Sequence, residues 1–284
     1  MKIGMTRTFL LTALAMVAFA SNSLLCRQAL KHTTIDAATF TLVRIISGAL
    51  CLWIIVQIRK GPFRKAGSWL SALSLFGYAA LFSFAYLRLT AGTGALLLFA
   101  AVQATMIIWA IRGGERLRLS QTAGIILALA GLIALVFPGL SAPPVGAAIL
   151  MIGAGVAWGV YSIRGKGAGD PLRATAGNFL RAAPIVLVVS VAMVRWANWD
   201  SAGVIYAILS GAIASGVGYA IWYTALPGLK ATGAATVQLS VPVLAAAGGI
   251  LFLGEPITLR FVLASVAVLG GILLVILERR APAT

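Results

Sequence analysis

Aromatic and hydroxyl side chains recur at four-residue intervals in two apolar stretches of the chain, a spacing that places side chains along one face of a helix. The first stretch carries Ser74, Tyr78, Phe82 and Tyr86. The second carries Ser215, Tyr219 and Tyr223, with Trp222 beside them. Such rings can line a cavity that accepts an aromatic or apolar ligand, while the hydroxyls orient its polar end. We therefore predict ligand-binding roles for Tyr78, Phe82, Tyr219, Trp222 and Tyr223. The alternative is packing between helices or, for Tyr86 and Tyr223 near the ends of their stretches, a place at a membrane interface.

Two glutamines, Gln103 and Gln238, lie in other apolar stretches and are candidates for the same cavity. An amide without a hydrogen-bond partner is costly in apolar surroundings, so both side chains should face protein or water. Pro242 cannot donate a helix hydrogen bond, which leaves one carbonyl free to meet a ligand or a neighbouring side chain. The alternative for both amides is ordinary hydrogen bonding between helices. Asn22 and Asn178 allow the same two interpretations.

Single arginines, Arg44 and Arg181, lie within two further apolar stretches. A guanidinium inside a membrane costs about 2.5–3.5 kcal/mol on permissive insertion scales, so each arginine needs a partner or marks a pathway. One possible role is attraction of a ligand carboxylate, and the other is clamping of backbone carbonyls at a contact that stabilises the fold. Both halves of the chain keep an arginine although one carboxylate needs one site, so we favour the structural role.

Signatures of metal, nucleotide and acid–base chemistry are missing from the sequence. It contains no metal-ligand cluster, no phosphate-binding loop and no pair of carboxylates at catalytic spacing. The six acids lie in predicted loops or at predicted helix ends: Asp36, Glu115, Asp170, Asp200, Glu255 and Glu278. The sequence therefore predicts no metal, no cofactor and no enzyme activity. It also predicts downhill movement of any transported ligand, since no carboxylate or histidine is expected inside the membrane to carry protons.

Composition identifies an integral membrane protein. Hydrophobic residues make up 61% of the chain and charged residues 10%, whereas soluble domains carry about 25% charged residues. Ten apolar segments each approach the ~20 residues that a helix needs to cross a bilayer. They are Arg7–Cys26, Ala37–Ile58, Ser68–Leu87, Ala91–Ile111, Ser120–Phe137, Val145–Ile163, Leu172–Val194, Val204–Leu226, Ala231–Leu253 and Thr258–Leu277. We predict an all-α membrane protein with ten transmembrane helices.

The net charge of +16 follows topology and does not point to nucleic acid. With the N-terminus inside, the loops on the cytoplasmic side hold most of the basic residues: Lys2, Arg7, Arg59, Lys60, Arg64, Lys65, Arg112, Arg116, Arg118, Arg164, Lys166, Arg173, Lys230, Arg279 and Arg280. The opposite side keeps Arg27, Lys31, Arg88, Arg195 and Arg260. This bias is the positive-inside pattern, which predicts that both termini are cytoplasmic.

The two halves of the chain repeat one order of features. Gly114-Glu115 and Gly254-Glu255 each separate two apolar runs, Arg44 corresponds to Arg181, and Phe19 corresponds to Trp158. Five helices per half is an odd number, so the second half must enter the membrane inverted, which puts a ligand path between the halves near the midplane. We predict repeats over residues 1–138 and 139–284.

These residues resemble a known family. Ala157-Trp158-Gly159, the single arginine in spans two and seven, and the Gly-Glu turns before spans five and ten resemble EamA-type members of the drug/metabolite transporter superfamily. The first half has Phe19-Ala20 where the family has Trp-Gly, so we predict the ligand-binding role of that tryptophan for Trp158 and not for Phe19. The aromatic interior looks most like bacterial exporters of aromatic and other neutral amino acids.

The resemblance implies a transporter that binds a small molecule between the repeats and exports it by alternating access. It implies residence in the bilayer of a bacterial inner membrane, as a monomer or homodimer, without nucleic-acid partners. One alternative is an organic-phosphate or nucleotide-sugar exchanger, which should show several convergent cations in the cavity. A less favoured alternative is an intramembrane lipid-modifying enzyme, which should show clustered acids or histidines.

Overall fold

The structure, a computed structural model, describes residues 5–59, 66–114, 117–137, 139, 142–165, 169–229 and 231–278. Ten helical spans, α1 to α10, are long and apolar enough to cross a membrane within these residues. They are α1 (Met5–His32), α2 (Ala37–Ile58), α3 (Trp69–Tyr86), α4 (Ala91–Arg112), α5 (Leu119–Val136), α6 (Val145–Gly165), α7 (Pro171–Ala192), α8 (Ser201–Gly228), α9 (Ala231–Gln238 and Ser240–Leu253) and α10 (Leu259–Glu278). The predicted all-helical, ten-span fold is confirmed. Glu115 and several loop cations, among them Arg64 and Arg116, lie outside the described residues.

The first helix is longer than its apolar segment predicted, because it continues past Cys26 to His32. Arg27 therefore lies inside α1 and is buried, and does not belong to an outer loop as predicted. Its charge is tolerated there because it pairs with Glu255.

Two helices depart from regular α geometry near the middle of the protein. In α8 the segment Leu209–Val217 is a π-helix between two α-helical ends. In α9 a turn at Leu239 divides the helix, and the Ser240 hydroxyl donates to the Val237 carbonyl at 2.7 Å. Pro242, three residues after the turn, removes the backbone donor to the Gln238 carbonyl. Both irregular segments lie beside the cavity described below.

Helices of the two halves pack across one another in matched pairs. Helix α1 packs on α8 and α9, and α6 packs on α3 and α4. Helix α2 packs on α7 and α8, while α7 packs on α2 and α3. Helices α4 and α9 contact each other, as do α5 and α10. Exchanging each helix for its counterpart five places along the chain reproduces each of these contacts.

Contacts between helix ends define two sides of the molecule. We call the side where α1 begins the inner side and the side where α1 ends the outer side. On the inner side, Arg164 of α6 donates to the Ser71 hydroxyl at the start of α3, at 3.3 Å. On the outer side, the Asn198 backbone N–H donates to the Asp36 carboxylate at 2.8 Å. Both contacts fit successive helices that run in alternate directions, as ten short-looped spans require.

Glycines permit the closest helix contacts. A Cβ on Gly159 would lie 2.7 Å from Thr105, and one on Gly211 would lie 2.1 Å from the Arg44 carbonyl oxygen. A Cβ on Gly271 would lie 2.3 Å from the Gly124 carbonyl oxygen. These glycines allow their helices to approach closely, whereas the space beside Gly270 is open.

Candidate functional site

A cavity of about 500 Å³ lies between the two halves of the chain, a size within the ~300–1,000 Å³ common for small-molecule sites. Seven predicted ligand-binding residues line it: Tyr78, Phe82, Trp158, Tyr219, Trp222, Tyr223 and Gln238. The structure does not bring Gln103 to this cavity, because that half-buried side chain lies elsewhere on α4.

Trp158 is at the centre of the aromatic wall. Its ring centroid lies 4.8 Å from that of Tyr78, 5.0 Å from that of Tyr161 and 5.7 Å from that of Tyr219. The Tyr161 and Tyr219 rings are within about 20° of parallel to the indole, as offset stacking favours. Side chains from three helices therefore present one continuous aromatic surface, which suits a flat apolar ligand group.

Arg44 lies behind this wall and is buried, with 3% of its surface exposed. Its Nη2 donates to the Tyr78 hydroxyl at 3.0 Å, and its Cζ lies 5.2 Å and 4.8 Å from the ring centroids of Tyr78 and Phe82. Arg44 Nη1 has no hydrogen-bond partner. This arginine holds aromatic residues of the cavity and does not clamp the carbonyls that we expected.

Arg181, its counterpart in the second half, does clamp carbonyls. It is half-buried, and its Nη1 donates to the backbone oxygens of Ala66 and Gly177. The contact ties α7 to the loop that precedes α3. The two arginines thus have different partners, although their positions in the repeats correspond.

The π-helix of α8 brings two hydroxyls to one asparagine. Ser210 donates to the Asn22 Oδ1 atom, and the Asn22 amide donates to the Ser215 hydroxyl at 3.5 Å. Residues five apart share a face of a π-helix, whereas they diverge on an α-helix. Asn22 and Ser215 line the cavity, so the irregular backbone places polar atoms in its wall.

A polar chain marks the inner end of the cavity. The Tyr161 hydroxyl donates to Thr175 at 3.2 Å, Thr175 lies 3.1 Å from the Tyr223 hydroxyl, and the Asn178 amide donates to Tyr161 at 3.3 Å. The cavity lining continues to the ends of α6 and α8 and the start of α7. The cavity therefore extends from the middle of the protein toward the inner side.

A buried ion pair joins helix ends on the outer side. Arg27 Nε lies 3.2 Å from Glu255 Oε1, and Arg27 Nη1 donates to the carbonyls of Tyr86 at 2.9 Å and Leu87 at 3.2 Å. Glu255 Oε2 accepts from the Ala91 backbone N–H at 2.8 Å, at the start of α4. Four chain segments from both halves are joined at this point.

Gly254 shapes the turn that delivers Glu255. It has φ +60°, a left-handed conformation that glycine adopts without steric cost. The turn lets the Glu255 N–H donate to the Gly249 carbonyl at 3.0 Å. Gly114 also has positive φ, +93°, at the corresponding place in the first half, so the glycine of each Gly-Glu pair adopts a left-handed backbone conformation.

Tyr86 and Tyr223 do not lie at a membrane interface, the alternative considered for them from the sequence. Tyr86 is fully buried, packs edge-on against Phe82 at 4.7 Å and donates to the Ala91 carbonyl at 3.2 Å. Tyr223 lines the cavity. Both side chains face protein, so position near the end of an apolar segment was a poor guide to their surroundings.

Several residues of the cavity and of its outer end were not predicted from the sequence. Tyr161 lies three residues after Trp158 on the same helix face, a spacing that could have identified it. Thr175 lies three residues before Asn178 in the same way. The Arg27–Glu255 pair gives no local signal, because its members are far apart in sequence. Within the described part of the chain, no group of three or more His, Cys, Asp or Glu could hold a metal ion.

Ten spanning helices around an aromatic cavity define a multi-pass membrane protein with room for a small molecule. The model of the EamA-like transporter family matches residues 6–137 and 145–277. The chain belongs to this family of membrane transporters.

Relatives agree with this assignment. The chain is 55% identical to uncharacterized protein PA1977 of Pseudomonas aeruginosa over 96% of both chains. It is 27% identical to an uncharacterized transporter of Archaeoglobus fulgidus over 73% of this chain and 77% of the other, and 22% identical to the uncharacterized transporter YoaV of Bacillus subtilis over 82% and 85%. A crystal structure with 17% identity covers 96% of this chain and 99% of its own, with a TM-score of 0.67, and shares the fold.

Proposed function

We propose that the protein exports aromatic or other neutral amino acids through the cavity between its halves. The observation that carries the proposal is the aromatic wall around Trp158, where rings from α3, α6 and α8 surround space for a side chain. Amide and hydroxyl groups of Asn22, Ser215 and Gln238 lie in the same lining, where they can bind the amino and carboxylate groups.

Transport proceeds by alternating access. The two repeats, residues 1–138 and 139–284, are inverted relative to each other and rock around the cavity. The matched packing of α1 on α8 and α9 and of α6 on α3 and α4 supports this symmetry. A cavity that extends to the inner side while Arg27 and Glu255 join the outer ends supports an inward-facing state.

The cavity chemistry disfavours the phosphate alternative. Phosphates are bound by arginine and lysine side chains, often several together. No lysine or arginine is among the described residues that line the cavity. A neutral, zwitterionic ligand fits this wall better than a doubly charged phosphate does.

The lining also bears on energy coupling. Its described residues include no aspartate, glutamate or histidine that could carry a proton with the substrate. We infer downhill movement, with export driven by a high internal concentration. The site of action is the inner membrane of a bacterium, without a cofactor, as a monomer or homodimer.

Counterflow in liposomes tests the proposal. Purified protein is reconstituted into vesicles loaded with unlabelled amino acid, and uptake of radiolabelled phenylalanine, tryptophan, leucine and alanine is followed without a pH gradient or voltage. Trp158→Ala should lower the initial rate about tenfold or more, because the central ring of the wall is lost. Trp109→Ala is the matched control, since that tryptophan of α4 lies at the periphery of the helix bundle with 58% of its surface exposed.

Exchange of at least one amino acid, reduced by Trp158→Ala and unchanged in Trp109→Ala, is the expected result. Absence of exchange for all neutral amino acids, with exchange of inorganic or sugar phosphates, would contradict the proposal. Uptake that requires a proton gradient would contradict its downhill part alone.

A further inference from the structure

We propose that the Tyr78 hydroxyl, positioned by Arg44, donates to a carboxylate on the transported molecule. The inference rests on the proposed function and deepens it, because it names the chemical group that the cavity selects. It makes Tyr78 a specificity-determining residue and Arg44 a positioning residue that acts through it.

The first step of the argument is the uncompensated charge of Arg44. A guanidinium is always ionised, and this one is 3% exposed. No aspartate or glutamate in the described chain pairs with it, and its Nη1 atom has no hydrogen-bond partner. A buried charge of this kind is costly unless something compensates it. The rings of Tyr78 and Phe82, 5.2 and 4.8 Å away, supply part of that compensation through cation–π attraction.

The second step is the direction of the hydrogen bond. A guanidinium has donors and no acceptor, so the Tyr78 oxygen must accept from Arg44 at 3.0 Å. The Tyr78 proton is then free to be donated elsewhere. Tyr78 lines the cavity, and a hydroxyl that already accepts from a cation is a stronger donor because hydrogen bonds in a chain polarise one another. The preferred partner of such a donor is an anionic oxygen.

The third step is that no carboxylate of the described cavity lining competes with the ligand for the Tyr78 hydroxyl or for the charge of Arg44. The described lining residues include no carboxylate, so the positive field of Arg44 is not neutralised inside the cavity. Coulomb attraction is strong where water is scarce. A ligand carboxylate is therefore stabilised here, and a ligand without that negative charge loses this stabilisation.

The position of Arg44 is also fixed by the backbone. Gly211 of the π-helix packs directly on the Arg44 carbonyl, where a Cβ would lie 2.1 Å from the oxygen. Arg44 is thereby held between α3 and α8, both of which supply cavity residues. Arg181 offers the comparison, because its Nη1 donates to two backbone carbonyls of the fold.

The experiment compares L-phenylalanine with L-phenylalaninamide, which has the same shape and lacks the carboxylate. Dissociation constants are measured by isothermal titration calorimetry on purified protein in nanodiscs. The variants are Tyr78→Phe, Arg44→Gln, Arg44→Lys and the double variant Tyr78→Phe/Arg44→Gln. Arg181→Gln is the matched control, and circular dichroism establishes that each variant is folded.

We expect the wild type to prefer the acid over the amide. Tyr78→Phe should weaken phenylalanine binding about 10- to 100-fold, as loss of a hydrogen bond to a charged group does, and change amide binding less than threefold. Arg44→Gln should give a similar loss, Arg44→Lys should restore part of it, and the double variant should lose no more than the larger single loss. Additivity of the two losses would show independent action. Arg181→Gln should leave the acid-to-amide ratio unchanged.

Equal binding of acid and amide by the wild type would overturn the inference, as would equal losses for both ligands in Tyr78→Phe. Tyr78→Phe removes one oxygen atom and keeps the ring, so it decides the question even if Arg44→Gln does not fold. Transport of amino acids with no acid-to-amide preference refutes this inference alone. Failure of every neutral amino acid to bind or to exchange refutes the proposed function and the inference with it.

Discussion

Three arginines meet three different kinds of partner inside this protein. Arg27 pairs with the Glu255 carboxylate, Arg44 lies against two rings and a phenol, and Arg181 donates to backbone carbonyls. All three solutions keep a permanently charged group away from lipid. Only the first joins opposite charges at the outer ends of both halves, so its removal should change stability and closure together.

The Arg27–Glu255 pair should be strongly coupled. Both side chains are nearly inaccessible, at 9% and 5% exposure. Glu255→Gln should therefore destabilise the protein by about 3–5 kcal/mol, because it leaves the guanidinium buried without its counter-ion. The double variant Arg27→Gln/Glu255→Gln should lose less than the sum of the single losses. Unfolding of purified protein in detergent, followed by circular dichroism against denaturant, measures all four corners of the cycle. Strict additivity would show that the pair has no energetic coupling.

Asp36 gives a pH dependence at the outer surface. Burial opposes ionisation of this carboxyl, but hydrogen bonds from Thr39, Asn198 and Ala38 outweigh it, so the pKa lies below its ordinary value. A lowered folded-state pKa contributes stability above the unfolded pKa of about 3.9. That contribution is lost as pH falls through the lower folded-state pKa.

We expect the stabilising effect of Asp36 to be constant above about pH 5, to decline as the pH falls past about 4, and to be gone below the folded-state pKa. Thermal unfolding of wild type and Asp36→Asn between pH 2.5 and 7 measures it as a difference in melting temperature. Asparagine keeps a helix cap without titrating, so the variant also reports the titration of all other groups. A difference that grows as pH falls would contradict the sign.

At the level of single residues, sequence identified the aromatic lining better than the polar contacts. The four-residue spacing of Tyr78 and Phe82 placed both on the face that the cavity uses, because helical periodicity is a local property. Partner choice is a property of tertiary packing. The pairing of Arg27 with Glu255 joins residues that no local pattern relates, and Gln103 lies away from the cavity although its chemistry resembles that of Gln238.

Helix α8 shows how a local irregularity can serve a site. The π-helical segment Leu209–Val217 directs Ser210 and Ser215 at Asn22 and presents Gly211 to α2. Its apolar composition predicted the span correctly. A π-turn has no strong composition signal of its own, so hydropathy could locate the helix and not its geometry.

Gly211 should tolerate no side chain. A Cβ there would lie 2.1 Å from the Arg44 carbonyl and 2.2 Å from the Ser47 hydroxyl. Gly211→Ala should therefore destabilise the protein by about 1–3 kcal/mol through forced separation of α2 and α8. The measurement is the melting temperature of the purified protein in detergent.

Gly270→Ala is the control for this substitution. Nothing lies within 4 Å of the corresponding Cβ in α10, and alanine is favoured over glycine in a helix by about 1 kcal/mol. This variant should keep or raise the melting temperature. A Gly211→Ala variant as stable as Gly270→Ala would mean that the contact between α2 and α8 relaxes at little cost.

On the scale of the whole molecule, composition was sufficient to predict the ten spans, whereas the orientation predicted from charge placement stays a prediction. Apolar length and loop charge are imposed by the bilayer, which acts on every helix alike. Which helices pack against each other could not be predicted from hydropathy, because an apolar helix face does not specify its partner. The inverted relation of the repeats stays a prediction, which the matched packing of the two halves supports. The cytoplasmic location of the termini stays a prediction that rests on loop charge alone.

The final prediction concerns access to the cavity from the two sides of the membrane. In a background with Cys26 and Cys51 replaced by alanine, Ser215→Cys places a thiol in the cavity wall at little cost in volume. In the inward-facing arrangement, a membrane-impermeant maleimide should modify this thiol in inside-out vesicles and not in intact cells, because the buried Arg27–Glu255 contact closes the outer side.

Adding Arg27→Gln/Glu255→Gln removes both charges, so the outer ends of α1, α3, α4 and α9 can separate. Labelling from outside intact cells should then rise severalfold. An exposed thiol at Lys31→Cys, expected to react from outside in either background, serves as the reagent control. Equal labelling of Ser215→Cys from both sides before the pair is removed would show that Arg27 and Glu255 do not close the cavity.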